Sequence, residues 1–498
     1  MAVSLPQSAA SYGFEGLSKC LPLVFAGALA GLVIIRYVLS HAKRRKAFAD
    51  NGCAAPPQFV GRDPIFGLDF VLENVRTFRQ HTYLDTLVKR YKSLGNTYGV
   101  RVFHRRGILT CEPENVKAIL STQFKDYSLG NRTPIMGPLL GRGIFVSDGE
   151  QWSHSRAMLR PNFVKNQLAD LTMLEAHLRQ LLALIPRDGA PIDLQELFLR
   201  FTIDSATEFL FGHSTHTLTQ GTARDQQFGE AFKVALDDMA LQFRLGPWRS
   251  LRRADPAALA AYRTCRAYVD NFVDDAMVIR KHGSDGMVGA DDRSFFLKEL
   301  AKATEDKEKI RDELLNILIA GRDTTASLLS SAFHVLSRRP DVWKKIRDEV
   351  SLLEGKIPVY EELRNMKYIK MAIRDTVLPR GGGPNGDMPI FIPKGCTIIY
   401  TVYAMHRRTD LFGPDAAEFR PERWESQRFS WEYLPFNGGP RICLGQQYAL
   451  TEALYVIIRF AQEFETIKTT DPSPWIESLT LTVASANGVE ASLNRANA

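Results

Sequence analysis

Phe436-Asn437-Gly438-Gly439-Pro440-Arg441-Ile442-Cys443-Leu444-Gly445 is the stretch on which the reading of this 498-residue chain turns. Glycines around a lone cysteine let the backbone fold tightly, and the apolar-periodic segment 446–464 that follows reads as a helix beginning at the sulfur. Free amides at a helix N-terminus stabilise a thiolate. They also hydrogen-bond a metal-bound sulfur and tune its electron donation. Arg441, two residues upstream, projects a fixed positive charge suited to a carboxylate. The bland alternative is a buried core cysteine, which is what most lone cysteines are. The pattern F-x-x-G-x-R-x-C-x-G fixes five positions at once, however, and its chance occurrence is on the order of one in ten thousand. That specificity favours a ligand.

Working outward, 308–338 is an almost uninterrupted helical pattern, roughly 45 Å long at 1.5 Å per residue. It carries Ala320-Gly321-Arg322-Asp323-Thr324-Thr325. Gly321 allows close backbone approach to a flat cofactor, and a threonine can divert helix hydrogen bonds and open a local bulge. Taken alone, Asp-Thr on a helix is more often a solvated face. Trp152 and Arg156 stand one turn apart on one helix face, which in isolation reads as packing plus a surface charge. A second helix starts at Pro340 and stops at Gly355. Two β-rich runs between Tyr98 and Cys111 flank Arg105, Arg106 and Gly107 as a hairpin turn, and 378–431 is turn-rich and strand-poor. The sequence has no repeats or low-complexity segment.

At 45% hydrophobic and 24% charged, the composition is that of a globular protein with a sizeable core, which excludes disorder, collagen-like repeats and a polytopic membrane protein. Six cysteines without a CxxC pair exclude a disulfide framework and a zinc ribbon. The net charge of +7 invites a nucleic-acid reading. Its placement argues against one, because Arg36, Lys43, Arg44, Arg45 and Lys46 supply most of the excess in one short stretch. That stretch lies behind an uncharged apolar run, 20–35, which Tyr37, Val38 and Leu39 prolong past a snorkelling Arg36. A cleaved signal peptide or a buried core helix are the other readings. A signal peptide wants its positive charge in front, where Lys19 stands against Glu15; the cluster behind puts everything after residue 40 in the cytosol. The expected organisation is a short lumenal N-terminus (1–19), a transmembrane anchor (20–39), a basic, Pro-containing linker (40–60) and one domain (61–498), mainly α with a small β part.

The cysteine loop closely resembles the haem-thiolate signature of cytochrome P-450 monooxygenases, and the resemblance covers residues 60–498. It implies haem b with Cys443 as axial iron ligand, Phe436 packed beside it, and Gly439 and Gly445 shaping the loop. Ala320, Gly321, Asp323 and Thr324 match the family's A-G-x-[DE]-T element, so Thr324 is implied as hydrogen-bond partner of activated oxygen and Asp323 as proton relay. Trp152 and Arg156 resemble the motif whose side chains reach a haem propionate, as Arg441 would. Phe419 to Trp424 resembles the meander, whose arginine, here Arg423, joins a buried network with an E-x-x-R motif. The implied partners are dioxygen, a membrane-bound NADPH reductase, the endoplasmic reticulum bilayer and a small lipophilic substrate, with no nucleic acid.

E-x-x-R is where the chain departs from the family. Matches at Glu73/Arg76, Glu308/Arg311, Glu361/Arg364 and Glu425/Arg428 lack the right context. KYIKMAI runs straight into RDTVLPRGGGP, and relatives carry roughly 15 to 20 more residues there. Arg423 is therefore expected to be buried without its carboxylate, at about 3 to 5 kcal/mol. A gene-model error and a non-catalytic remnant are the competing explanations. The blocks NRTPIMGPLLGRGIFVSDGEQWSHSRAMLRPNF, DTVLPRGGGP and VYAMHRR resemble the fungal alkane and fatty-acid ω-hydroxylase branch, which implies oxygen insertion at a terminal carbon. A lipid-like or polyketide chain of fungal secondary metabolism is the alternative substrate. Leu315, Ile317 and Ile319 could line the substrate pocket or belong to the core.

Overall fold

The computed structural model describes residues 11–63, 66–103, 105–130, 132–163, 171–245, 249, 252–282, 295–351, 369–372 and 374–496. The chain opens with helix α1 (Ser11–Asp50), α2 (Leu68–Arg79) and α3 (Tyr83–Leu94), then strands β1 (Thr97–Val102) and β2 (Arg105–Thr110). Next come α4 (Pro113–Lys117), β3 (Tyr127–Ser128), α5 (Arg132–Leu140), α6 (Gly149–Leu159), α7 (Thr172–Leu184) and β4 (Ile192–Asp193). A helical block follows, α8 (Leu194–Phe211), α9 (Ala223–Leu245), α10 (Pro256–His282), α11 (Phe295–Ala303), α12 (Lys307–Leu336) and α13 (Pro340–Ser351). Strands β5 (Ile369–Ala372), β6 (Thr376–Gly382), β7 (Met388–Ile392) and β8 (Thr397–Tyr400) precede the short helices α14 (Val402–Met405), α15 (Thr409–Phe412) and α16 (Arg423–Ser426). Helix α17 (Gln446–Glu463) and strands β9 (Phe464–Thr469), β10 (Glu477–Leu479), β11 (Val483–Ser485) and β12 (Glu490–Arg495) complete a mainly α fold with small sheets.

Two central helices organise the core. Asp193 and Asp306 start α8 and α12 by accepting the Gln195 and Lys309 amides at 2.9 and 3.1 Å, satisfying donors that a helix start leaves unpaired. Both helices are buried over most of their length, and they bury polar residues such as Asp204 and Asn316 along with their apolar ones. Leu314, Leu315 and Leu318 of α12 join Ile203 and Leu210 of α8 in one apolar cluster with α9, α10 and α11. Farther along, Ala326, Leu329 and Phe333 of α12 join Leu197, Phe198 and Phe201 of α8 in another, with α7, α13 and α17. The helices therefore run antiparallel. Leu315, Ile317 and Ile319 lie buried in the first cluster, so their apolar character is core packing. A third cluster fills the space between α3 and the β part.

The largest sheet has the order β1-β2-β8-β5-β3, with β2 and β8 parallel (Leu109 opposite Ile399) and the other pairs antiparallel. Strands β6 and β7 pair antiparallel, and β4-β12-β9 form a three-stranded sheet. The hairpin of β1 and β2 forms where expected, but Arg105, Arg106 and Gly107 stand inside β2, because Val102 pairs with Arg105. The turn is the two-residue connection before them, entered through Phe103 at φ +54°, a geometry that matches strand twist. The stretch expected to be strand-poor holds β7, β8 and most of β6. Pro379, Gly381 and Gly382 stand within β6 and Pro389 within β7, so glycine and proline do not mark the strand limits here.

Segment 20–39 lies within α1, but residues 20–27, 33 and 37 are outside the residues whose side chains are described. Among the described residues no helix is long and apolar enough to cross a membrane. Gly355 and the Glu361/Arg364 pair are outside the described residues, and α13 is described to Ser351.

Candidate active site

The cysteine loop is built by backbone contacts. The Cys443 amide donates to the Phe436 carbonyl at 3.0 Å and the Ile442 amide to the Gly439 carbonyl at 3.0 Å, closing the loop over buried Phe436. Gly439 sits at φ +66°, and a Cβ there would fall 1.9 Å from the Leu120 carbonyl oxygen, so no other residue fits. Gly445 has an ordinary φ of −83° and room for a methyl, 3.6 Å from Phe163; its role is its amide, which hydrogen-bonds the Cys443 sulfur. Helix α17 begins at Gln446, so the sulfur stands at the helix N-terminus as the sequence indicated.

Cys443 is the free cysteine with open surface among the described residues, whereas Cys53, Cys111, Cys265 and Cys396 are buried. It is nevertheless deep in the fold. Burial pushes its thiol up to about 11, with the Gly445 amide and the Arg156 charge pulling the other way. The helix N-terminus alone therefore does not make a thiolate here. An open sulfur on the floor of a deep cleft is reached by a ligand, and a metal cation on the sulfur is what deprotonates such a thiol outright.

A cationic wall stands beside it. Arg441 Nη2 donates to the Ser147 carbonyl at 3.0 Å and to Asp148 Oδ1 at 2.7 Å, and its guanidinium lies 4.4 Å over the Trp152 ring. Arg156 lies 5.9 Å from the same ring and donates to the Ile442 carbonyl at 2.9 Å. Burial, Arg132 and Arg156 press the Arg441 charge down to about 10 against the pull of Asp148. Arg441 Nε is buried with no partner. A thiol ligand beneath crowded guanidiniums, one of them with an orphaned donor, fits haem: the sulfur takes the iron and the wall takes the propionates. The contacts bring Cys443, Arg441, Trp152, Arg156, Phe436, Gly439 and Gly445 together, and it is in this group that a thiolate-bound iron and its propionates would sit.

On α12, Thr324 is exposed and its hydroxyl donates to the Ala320 carbonyl at 2.5 Å, but the helix runs unbroken past it, so the expected local bulge does not form. Asp323 is buried; burial raises its carboxyl above the usual range and the Arg322 guanidinium, 2.7 Å away, opposes this. A Cβ built on Gly321 would meet the Ala206 methyl of α8 at 3.4 Å, so this half-buried glycine lies where α8 and α12 approach each other.

Two further findings bear on the site. Glu452 of α17 is fully buried, accepts the Ser205 hydroxyl at 2.6 Å, and is raised by burial to about 7. Sequence reasoning missed it, although an acid among the apolar residues of a core helix was a visible signal. Arg423 contradicts the expected orphaned charge. It is buried but donates to the Phe412, Asp415 and Glu418 carbonyls at 3.0, 2.8 and 3.3 Å and pairs with Asp415 Oδ1 at 3.4 Å. The meander wraps the guanidinium in its own carbonyls, which requires no distant glutamate.

Residues 57–377 and 385–488 match the family model described as Cytochrome P450. The chain is 64% identical over 494 aligned positions to cytochrome P450 monooxygenase himC of Aspergillus japonicus, covering 95% of this chain and 89% of that protein. It is 52% identical to cytochrome P450 monooxygenase fsdH of Fusarium heterosporum, covering 98% and 91%, and 40% identical to cytochrome P450 52A12 of Debaryomyces hansenii, covering 89% and 92%. The solved haem domain of cytochrome P450DA superposes with TM-score 0.72 at 20% identity, over 89% of this chain and 98% of that one, which shows the fold. In the 64% alignment, 95% of 498 residues fills about 473 of 494 positions, leaving about 21 where the relative has a residue and this chain has none.

Proposed function

This chain belongs to the cytochrome P450 family, a monooxygenase with a haem-thiolate cofactor that uses dioxygen and electrons from a reductase, and we propose that its substrate is a lipid-like or polyketide intermediate of fungal secondary metabolism. The observation that carries the substrate reading is the step in identity. The relatives at 64 and 52% stand well apart from the P450 52 group at 38 to 40%. Terminal hydroxylation of n-alkanes or free fatty acids is the reading this displaces.

When bound, haem supplies the activation of dioxygen through a thiolate-ligated iron. The residues of this chain take definite parts. Cys443 would hold the haem iron through its sulfur, with the Gly445 amide moderating its donation. Arg441, Arg156 and Trp152 would hold the propionates. Thr324 offers the cleft a hydroxyl, and Asp323 can hold and pass a proton behind it, since its carboxyl titrates above the ordinary carboxylate range. The uncharged run at 20–35 and the basic cluster behind it support a membrane anchor with the domain on the cytosolic side, from which a lipophilic substrate would partition in from the bilayer.

The test is turnover by the full chain with an NADPH reductase in microsomes, comparing long-chain alkanes and fatty acids with polyketide-type chains bearing oxygen substituents. Oxygenation of the latter at higher kcat/KM is expected; terminal hydroxylation of alkanes or fatty acids alone overturns the assignment. The carbon-monoxide difference spectrum supplies the ligand control, because Cys443→Ala is expected to lose the thiolate-type Soret band.

A further inference from the structure

We propose that Asp148 is a positioning residue for the haem: it fixes the direction and the net charge of Arg441 and thereby sets the reduction potential of the iron. The inference rests on the reading of Arg441 as a propionate partner given above. Nothing in the sequence motifs singled out Asp148, which stands just ahead of α6 in extended backbone at φ −125° and ψ 170°.

Both oxygens of Asp148 are committed. Oδ2 accepts the Leu129 amide at 2.8 Å, tying the carboxylate to the segment before α5, and Oδ1 accepts Arg441 Nη2 at 2.7 Å. The same Nη2 donates to the Ser147 carbonyl at 3.0 Å, so adjacent residues hold one edge of the guanidinium. Its face is fixed by Trp152 at 4.4 Å and Phe124 at 5.9 Å. The Arg441 side chain is only 9% exposed, and a group so held keeps one orientation. The donor left over is Nε, buried and without a partner. Asp148 therefore does more than neutralise: it occupies one edge of Arg441 and leaves a donor for another anion.

The electrostatic consequence follows from the charges around Arg441. Arg441 and Arg156 lie over the same Trp152 ring, and Asp148 is the carboxylate paired with Arg441. Arg441 is buried while Asp148 is 39% exposed, so solvent screens the pair only in part. Making Asp148 neutral leaves the cationic wall without that compensation, and a more positive surrounding favours ferrous over ferric iron. A residue with only a structural role would alter stability or haem content without moving the potential in a direction set by charge.

Substrate-free full-length protein in reductase-free membranes, titrated spectroelectrochemically, tests this. Asp148→Asn and Asp148→Ser remove the charge while keeping residue types that start helices, and Asp148→Glu keeps the charge. Each variant is first shown to give the thiolate-type carbon-monoxide band, and the Ser variant serves if the Asn variant does not. The neutral variants are expected to raise the ferrous-to-ferric ratio at a fixed potential several-fold, up to about tenfold, equivalent to about 59 mV for one electron. Asp148→Glu is expected to stay within about twofold of the wild type, because the charge is retained. Unchanged potentials in both neutral variants, with a shift in Arg441→Gln, overturn the role of Asp148 alone. Unchanged potentials in Arg441→Gln as well overturn the reading of Arg441 on which it rests.

Discussion

Glu452 and Arg423 are buried ionisable residues with different solutions. Glu452 has a hydroxyl but no cation within ion-pair distance among the described residues, and burial lifts its carboxyl to about 7. The sign of its effect follows from linkage: the folded chain holds the proton more tightly than the unfolded one. Stability is therefore greatest while Glu452 is protonated and falls as pH rises from the ordinary carboxylate range through about 7. Glu452→Gln keeps the shape and removes the charge, so it is expected to flatten that slope and to gain on the order of 3 kcal/mol at pH 8. Denaturant midpoints between pH 5 and pH 8 check this; equal slopes for both proteins count against it. Arg423 keeps its charge by recruiting three carbonyls and Asp415. Arg423→Gln leaves several of these acceptors unpaired and is expected to destabilise by about 2 to 4 kcal/mol. A change below about 0.5 kcal/mol, the range of an ordinary surface substitution, would show that the carbonyl cage is dispensable.

Among the elements, what the sequence made legible was whatever local chemistry decides. The loop around Cys443, helix α17 behind it and helix α12 each carry their own signal of glycine placement or apolar period, and each forms close to its expected bounds. Contacts between distant segments carry no such signal. The approach of Gly321 to Ala206 at the crossing of α8 and α12 is such a contact, which only the packing of both helices reveals. Strands β6 to β8 were obscured because each is short and its neighbours are turns. Asp148 was equally hidden, since its partner Arg441 is far away in sequence. The two loop glycines make this difference testable. Gly439→Ala meets both a positive φ and a carbonyl at 1.9 Å, and is expected to cut haem incorporation severely and lower the midpoint of unfolding. Gly445→Ala meets neither obstacle and keeps the amide on the sulfur, so its carbon-monoxide band is expected to persist near wild-type intensity. Equal losses in both variants would mean that steric fit at Leu120 does not decide the loop.

Across the whole molecule, the fold is that of a monooxygenase domain, yet the chain is short by about 21 positions against its 64% relative. The E-x-x-R context is missing where KYIKMAI runs into RDTVLPRGGGP, at the passage from β5 to β6. The rest of the fold closes around it. Strand β5 still pairs with β8 and β3 to complete the five-stranded sheet, and Arg423 finds partners within the meander. Global architecture therefore does not depend on the missing segment, whereas cofactor retention can, because a family E-x-x-R would add a carboxylate at Arg423 and shield the proximal side. A chain carrying the relative's extra residues between Met371 and Arg374 is expected to bind haem at a higher ratio to protein than the chain as it stands, and to unfold at higher denaturant. Carbon-monoxide difference spectra normalised to total protein measure the first, and the denaturant midpoint of the haem band measures the second. If the shorter chain already binds haem stoichiometrically and the insertion changes neither quantity, the meander alone suffices to hold Arg423, and the shorter chain is a working form of the enzyme.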